Sequence, residues 1–119
     1  MELTIYHLAL RPDWQDALDS GAGYATSTLG VSLAEQGLIH CSFANQVQRI
    51  ADLVYAGRDD VVLLTVDPAL LTAKIRLDQV GEEAFPHLYG ALDPAAVVAV
   101  RSLIPGPDGR LDATPAPIA

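Results

Sequence analysis

One cysteine in 119 residues excludes an intramolecular disulfide, and so low a count fits a reducing compartment. Basic residues are also scarce. Seven Lys and Arg stand against fifteen Asp and Glu, for a net charge of −8. A nucleic-acid binder needs a basic footprint, so nucleic acid is not an expected partner. The same charge disfavours an anionic membrane surface. No apolar run approaches the length of a membrane span. The opening MELTIYHLAL carries an acid where a signal peptide would carry positive charge. The expectation is a cytoplasmic protein. No internal repeat is present, and nothing in the sequence sets the oligomeric state.

Half of the residues are hydrophobic, which is enough to bury a core without disulfides or a structural metal at this length. The length itself fits one domain. Residues 3–10 (LTIYHLAL) read as an interior strand, with Ile5, His7 and Ala9 on one face. Residues 11–20 read as a helix. Pro12 suits its first turn, Trp14, Ala17 and Leu18 form its apolar stripe, and Gly21 ends it. Residues 21–30 (GAGYATSTLG) read as a loop, and VSLAEQG adds a helical turn. GLIHC is short and extended. A helix is predicted over 43–56, with Val47, Ile50, Ala51 and Val54 inward.

The continuous apolar run in DDVVLLTVD predicts a strand covered on both faces. Asp67-Pro68 and Asp93-Pro94 each read as a cap followed by a first-turn proline. AKIRLDQV alternates, with Lys74, Arg76 and Asp78 on its wet face. GEEAFPHLYGAL reads as a loop stiffened by Pro86, and residues 96–104 read as a final strand. From Pro105 on, four of the eight prolines fall in a stretch without apolar periodicity. The division is therefore a single domain over 1–104 and a loose tail over 105–119. The fold class is α+β, with a mostly antiparallel sheet and flanking helices.

The candidate chemistry lies with three histidines, His7 in IYHLA, His40 in GLIHCS and His87 in FPHLYG. Histidine titrates near neutrality and both donates and accepts hydrogen bonds. A pair lining a cleft can hold ribose hydroxyls or act as acid and base. Each can equally be a buried histidine with satisfied nitrogens. Ser42 precedes the predicted helix and reads as its N-cap, a position that can also touch a ligand. Cys41 faces away from His40 and reads as a small buried hydrophobe rather than a nucleophile. Tyr89 and His87 form a presenting edge if FPHLYG is a binding loop. The histidines are widely separated, with no His-x-His or His-x3-His pair, so no metal site is expected.

IYHLA, Trp14, GLIHCS with Gln46-Val47, VVLLTVD and FPHLYG together resemble the domain of unknown function 952 family, over about residues 3–103. That family is grouped by remote similarity with the ADP-ribosyltransferase superfamily. The resemblance implies a split α+β sheet holding NAD in a cleft. His7 resembles the superfamily's first-strand His. GLIHCS resembles its Gly-x-Tyr segment, with His40 in place of Tyr, and His87 falls near the third motif position. The superfamily Glu has no direct counterpart; Asp78, Glu82 and Glu83 are the carboxylates available to replace it.

The implied function is binding of NAD or a related nucleotide, with ADP-ribosyl transfer or NAD glycohydrolysis as its chemistry. Catalysis would fall to His7, His40 and His87, and ligand contacts to these three with Ser42 and Tyr89. In this scheme His7 holds a ribose hydroxyl, His40 contacts the nicotinamide side and His87 closes the cleft. The alternative is a non-catalytic module for a small ligand or partner. A third reading is a metal-dependent hydrolase on the three histidines.

Overall fold

The computed structural model describes residues 4–115. β1 (Ile5–Leu10) runs directly into α1 (Arg11–Ser20). Pro12 lies in the first helical turn, where its missing N–H costs nothing. Gly21 closes the helix in the left-handed conformation, φ 68°. Trp14 and Ala17 are buried, as their spacing predicts, while Leu18 stays exposed. The short β2 (Thr26–Thr28) lies inside the segment expected to be a loop, and it pairs with β3 (Val31–Ser32), the first two residues of the expected helical turn. α2 (Leu33–Gln36) opens on a Ser32/Glu35 capping box.

β5 (Val61–Val66) is buried at nearly every position, and it is the centre of a sheet ordered β1-β5-β8 with β8 at Val97–Leu103. Its uninterrupted apolar run follows from that place. The second sheet is ordered β4-β7-β6, with β4 at Ile39–His40, β6 at Lys74–Val80 and β7 at Glu83–Tyr89. Every ladder is antiparallel. The α+β class with mostly antiparallel sheet is as the sequence indicates. The two sheets touch where Tyr6 and Ser42 exchange backbone hydrogen bonds of 2.8 Å. Ser42 lies just beyond the end of β4, so the bridge ties β1 to the chain leaving that strand.

β7 corrects the loop expected over FPHLYG. Its residues alternate, with Phe85, His87 and Tyr89 on one face and Pro86 and Leu88 on the other. Pro86 is tolerated because β4 pairs only with His87 and Leu88, so no neighbour on that side asks for its N–H. Gly90 permits a close approach, since a Cβ there would lie 2.7 Å from the Cβ of Ala73.

The single helix predicted over 43–56 is instead a turn, a short α3 (Val47–Ile50) and a π-helical segment (Ala51–Tyr55). Ser42 is not its cap. Its backbone is committed to the bridge with β1, and Gln46 does the local work. Gln46 Oε1 accepts from the Phe43 N–H at 2.9 Å, and its Nε2 donates to the Ala84 carbonyl at 3.0 Å. The wider π pitch puts Tyr55 into the core and leaves Val54 at the surface.

The tail is not loose over its described part. Leu111 and Ala113 are 1% and 0% exposed, in a core cluster with Tyr6, Leu8, Val47 and Tyr55. Gln48 clamps them, its Nε2 donating to the Leu111 carbonyl at 2.9 Å and its Oε1 accepting from the Ala113 N–H at 2.7 Å. Arg101 adds bonds to the Asp112 and Thr114 carbonyls. Two isolated apolar side chains give no periodic signal, yet they complete the core. The rest of the predicted tail, residues 116–119, and the predicted strand position Leu3 lie outside the described residues.

Candidate functional site

A cavity of about 300 Å³ opens between the two sheets beside the Tyr6–Ser42 bridge. His7, His40, Ser42 and His87 all border it. Tyr89 does not, because it points along the same sheet face but beyond the cavity edge, toward Asp78 and Arg76. The apolar wall comes from Tyr6, Leu8, Ile50, Tyr55 and Phe85. No Lys, Arg, Asp or Glu lines it among the described residues.

His7 is only 2% exposed and both of its ring nitrogens are taken. Nδ1 donates to the His40 carbonyl at 2.6 Å, which fixes the tautomer, and Nε2 then accepts from the Tyr24 hydroxyl at 2.9 Å. The ribose-holding role expected for His7 therefore does not fit this arrangement. His7 holds the β4 backbone in place instead. Burial lowers its pKa to about 4.

A pH dependence follows. Between about pH 6.5 and 4 the unfolded chain binds a proton at His7 that the folded chain does not. Stability should fall as pH drops through that window, by up to about 3 kcal/mol. Urea melts at pH 7, 6, 5 and 4 measure this directly. A flat profile over that range would contradict the neutral, buried His7.

β4 and β7 pair His40 directly opposite His87. Their rings stand edge to face, centroids 5.0 Å apart. His40 Nδ1 lies 3.0 Å from Ser27 Oγ and 2.9 Å from Thr28 Oγ1. One ring nitrogen has one in-plane site, so it satisfies only one of these hydroxyls at a time. Burial, and then repulsion from His87, lower the His40 pKa. His87 Nδ1 donates to Asp78 Oδ2 at 2.8 Å. Asp78 also accepts from the Tyr89 hydroxyl and from Arg76 Nε at 2.7 Å. These donors, Tyr89 first and Arg76 next, bring the Asp78 carboxyl down to about 2.

Neither His40 nor His87 makes a hydrogen bond through Nε2 to a described residue, and no buried side-chain nitrogen or oxygen among them lacks a partner. His87 Nε2 is therefore not sealed from solvent, His40 is an exposed residue, and both border the cavity. Of the three carboxylates left open by sequence, Asp78 is the one joined to this site, whereas Glu83 pairs with Arg49 and Glu82 lies exposed.

Cys41 is buried in the core, and burial pushes its thiol up to about 12, far from thiolate chemistry. Among the described residues no three His, Cys, Asp or Glu side chains group to hold a metal ion. The three-histidine metal reading lacks its third ligand because both nitrogens of His7 are engaged. Tyr24, Ser27 and Thr28 are the site residues that sequence reasoning passed over. Their only signal was the alternation of ATST within a Gly-rich stretch.

Fold and cleft together define a small α+β domain of antiparallel sheet that surrounds a histidine-bordered cavity of small-molecule size. The chain belongs to the family described as "Protein of unknown function (DUF952)", which matches residues 8–100. It is similar to protein CC0527 from Caulobacter crescentus. The X-ray structure of CC0527 superposes with a TM-score of 0.78 at 30% identity, covering 92% of this chain and 93% of that one. The solution NMR structure gives 0.73 at 30% identity, covering 92% and 91%. No curated protein matches the chain. No helix among the described residues is long and apolar enough to cross a membrane.

Proposed function

We propose that the cleft binds NAD or a related nucleotide, in the manner of the ADP-ribosyltransferase superfamily, with ADP-ribosyl transfer or NAD glycohydrolysis as its chemistry. The observation that carries this reading is the His40–His87 pair, two imidazoles 5.0 Å apart on a largely apolar cavity, neither of which spends its Nε2 on a described residue. In this reading an aromatic ring takes the Tyr6, Tyr55 and Phe85 wall, and ribose hydroxyls take the imidazole and Thr28 end. The volume is at the small end for ligand pockets. It suits one nucleoside unit, with the phosphates outside, where no cationic wall is needed. In this reading the bridge between the sheets corresponds to the superfamily's split, and a cytoplasmic setting supplies the nucleotide.

NAD at a hundred times its dissociation constant should stabilise the protein by about 2.7 kcal/mol. At this size each 1 kcal/mol moves the melting midpoint by about 3–6 °C. His40→Ala should abolish that shift and remain folded, because its ring reaches solvent and bonds only Ser27 and Thr28. No shift with NAD, ADP-ribose or any mononucleotide at millimolar concentration would contradict the reading. A non-catalytic ligand-binding module is the second reading. It is favoured by the lack of any charged side chain on the described cavity lining.

A further inference from the structure

His87 differs from the other two histidines in having a carboxylate behind it. Nδ1 donates to Asp78 at 2.8 Å, and Asp78 is itself fixed by Arg76 and Tyr89. That chain orients the imidazole and keeps the proton on Nδ1, leaving Nε2 as an acceptor toward the cavity. Asp78 does not line the cavity, so it acts only through His87. The titratable and charged groups beside His87 are Asp78 and Arg76 from β6 and His40 from β4, and Tyr6, His7, Cys41 and Tyr55 are the others that line the cavity.

We propose that His87, positioned by Asp78, is the general base of the cleft and takes a proton from a water or hydroxyl that attacks an N-glycosidic carbon bearing a pyridinium leaving group. This rests on the nucleotide reading above and assigns the base for it. The oxygen–carbon bond forms as the carbon–nitrogen bond breaks. The electron pair of that bond passes to the pyridinium nitrogen, which leaves neutral. The nucleophile's proton goes to His87 Nε2 and then to solvent.

The choice of leaving group comes from what the cavity holds. No carboxylic acid or lysine lines it among the described residues. His40 is held toward its neutral form by burial and by His87, so near neutral pH it is a poor proton donor. A leaving group that is already cationic needs no proton, whereas a purine or an alkoxide would.

The test measures NAD binding by calorimetry and nicotinamide release by chromatography on the same preparations. Wild type should release nicotinamide at a rate that rises with pH to a plateau along a single ionisation. His87→Gln should lose about 10²–10⁴-fold in rate at NAD concentrations that saturate it by its own calorimetric titration, a loss that weaker binding does not produce. Asp78→Asn should lose rate and shift the pH midpoint, and Asp78→Glu should recover part of both. These are readouts that a merely structural carboxylate would not move, and Tyr89→Phe supplies a milder change should Asp78→Asn melt early.

If NAD binds but wild type releases no nicotinamide, or His87→Gln releases it as fast, the base assignment is overturned while the nucleotide reading stands. If NAD does not bind at millimolar concentration, the nucleotide reading fails and takes this assignment with it.

Discussion

His7→Ala is expected to cost at least about 3–5 kcal/mol of stability, the largest effect of any histidine substitution here. Two terms add. Removing a buried ring leaves a void among Ile5, Ala9 and Tyr24, and large-to-small core changes of this size cost several kcal/mol. The change also strands the Tyr24 hydroxyl, in a side chain 1% exposed, and the His40 carbonyl. Each unpaired buried group adds about 1–3 kcal/mol where water cannot reach it. The melting midpoint should fall by about 10 °C or more. His40→Ala should shift it far less, because the His40 ring is not part of the core. A His7→Ala protein that melts like wild type but no longer binds nucleotide would return His7 to the ligand-holding role.

Leu111→Ala should be the second large effect, at about 2–5 kcal/mol. Leu111 is 1% exposed and packs in the cluster that contains Tyr6, Leu8 and Tyr55, three walls of the cavity. Deleting residues 105–119 should cost at least as much, because Gln48 then loses both of its backbone partners. The cavity would loosen with the core beneath it, so the truncated protein should also bind ligand more weakly. Chemical denaturation of both variants at neutral pH measures this. A truncation that leaves the midpoint unchanged would show that the tail is dispensable, as its composition alone suggests.

These two residues mark where the sequence was legible and where it was not. β1, α1 and β5 follow from local pattern because their apolar residues are the buried ones, whereas β6 and β8 form where the sequence places them but stay largely exposed, Leu77, Val80, Val98 and Val100 included. Asp67 and Asp93 do cap short turns, each accepting from the backbone N–H two residues on. β7 was obscured by Pro86, a residue that normally argues against a strand and is tolerated here only because β4 is two residues long. Ser42 looked like a cap because a helix-like pattern follows it, but strand pairing with Tyr6 outweighed the local preference.

The convergence of His7 and His40 was expected from strands that carry each beside apolar neighbours, whereas the place of His87 at the same cavity was implied only by the family resemblance, since FPHLYG read as a loop. Their different roles were not, because the role of each depends on a partner remote in sequence. Tyr24 and the His40 carbonyl hold His7, Asp78 holds His87, and Ser27 and Thr28 hold His40. None of those pairings has a local signature.

The most direct measurement is an NMR titration of the imidazole ¹⁵N signals with NAD at neutral pH. The signals of His40 and His87 should move together and saturate with one dissociation constant, and their Nε2 resonances should change most. His7, with both nitrogens bonded inside the fold, should keep its neutral Nδ1–H pattern throughout. Unchanged His40 and His87 signals at millimolar NAD, or a response confined to His7, would contradict the claim that this pair forms the ligand site.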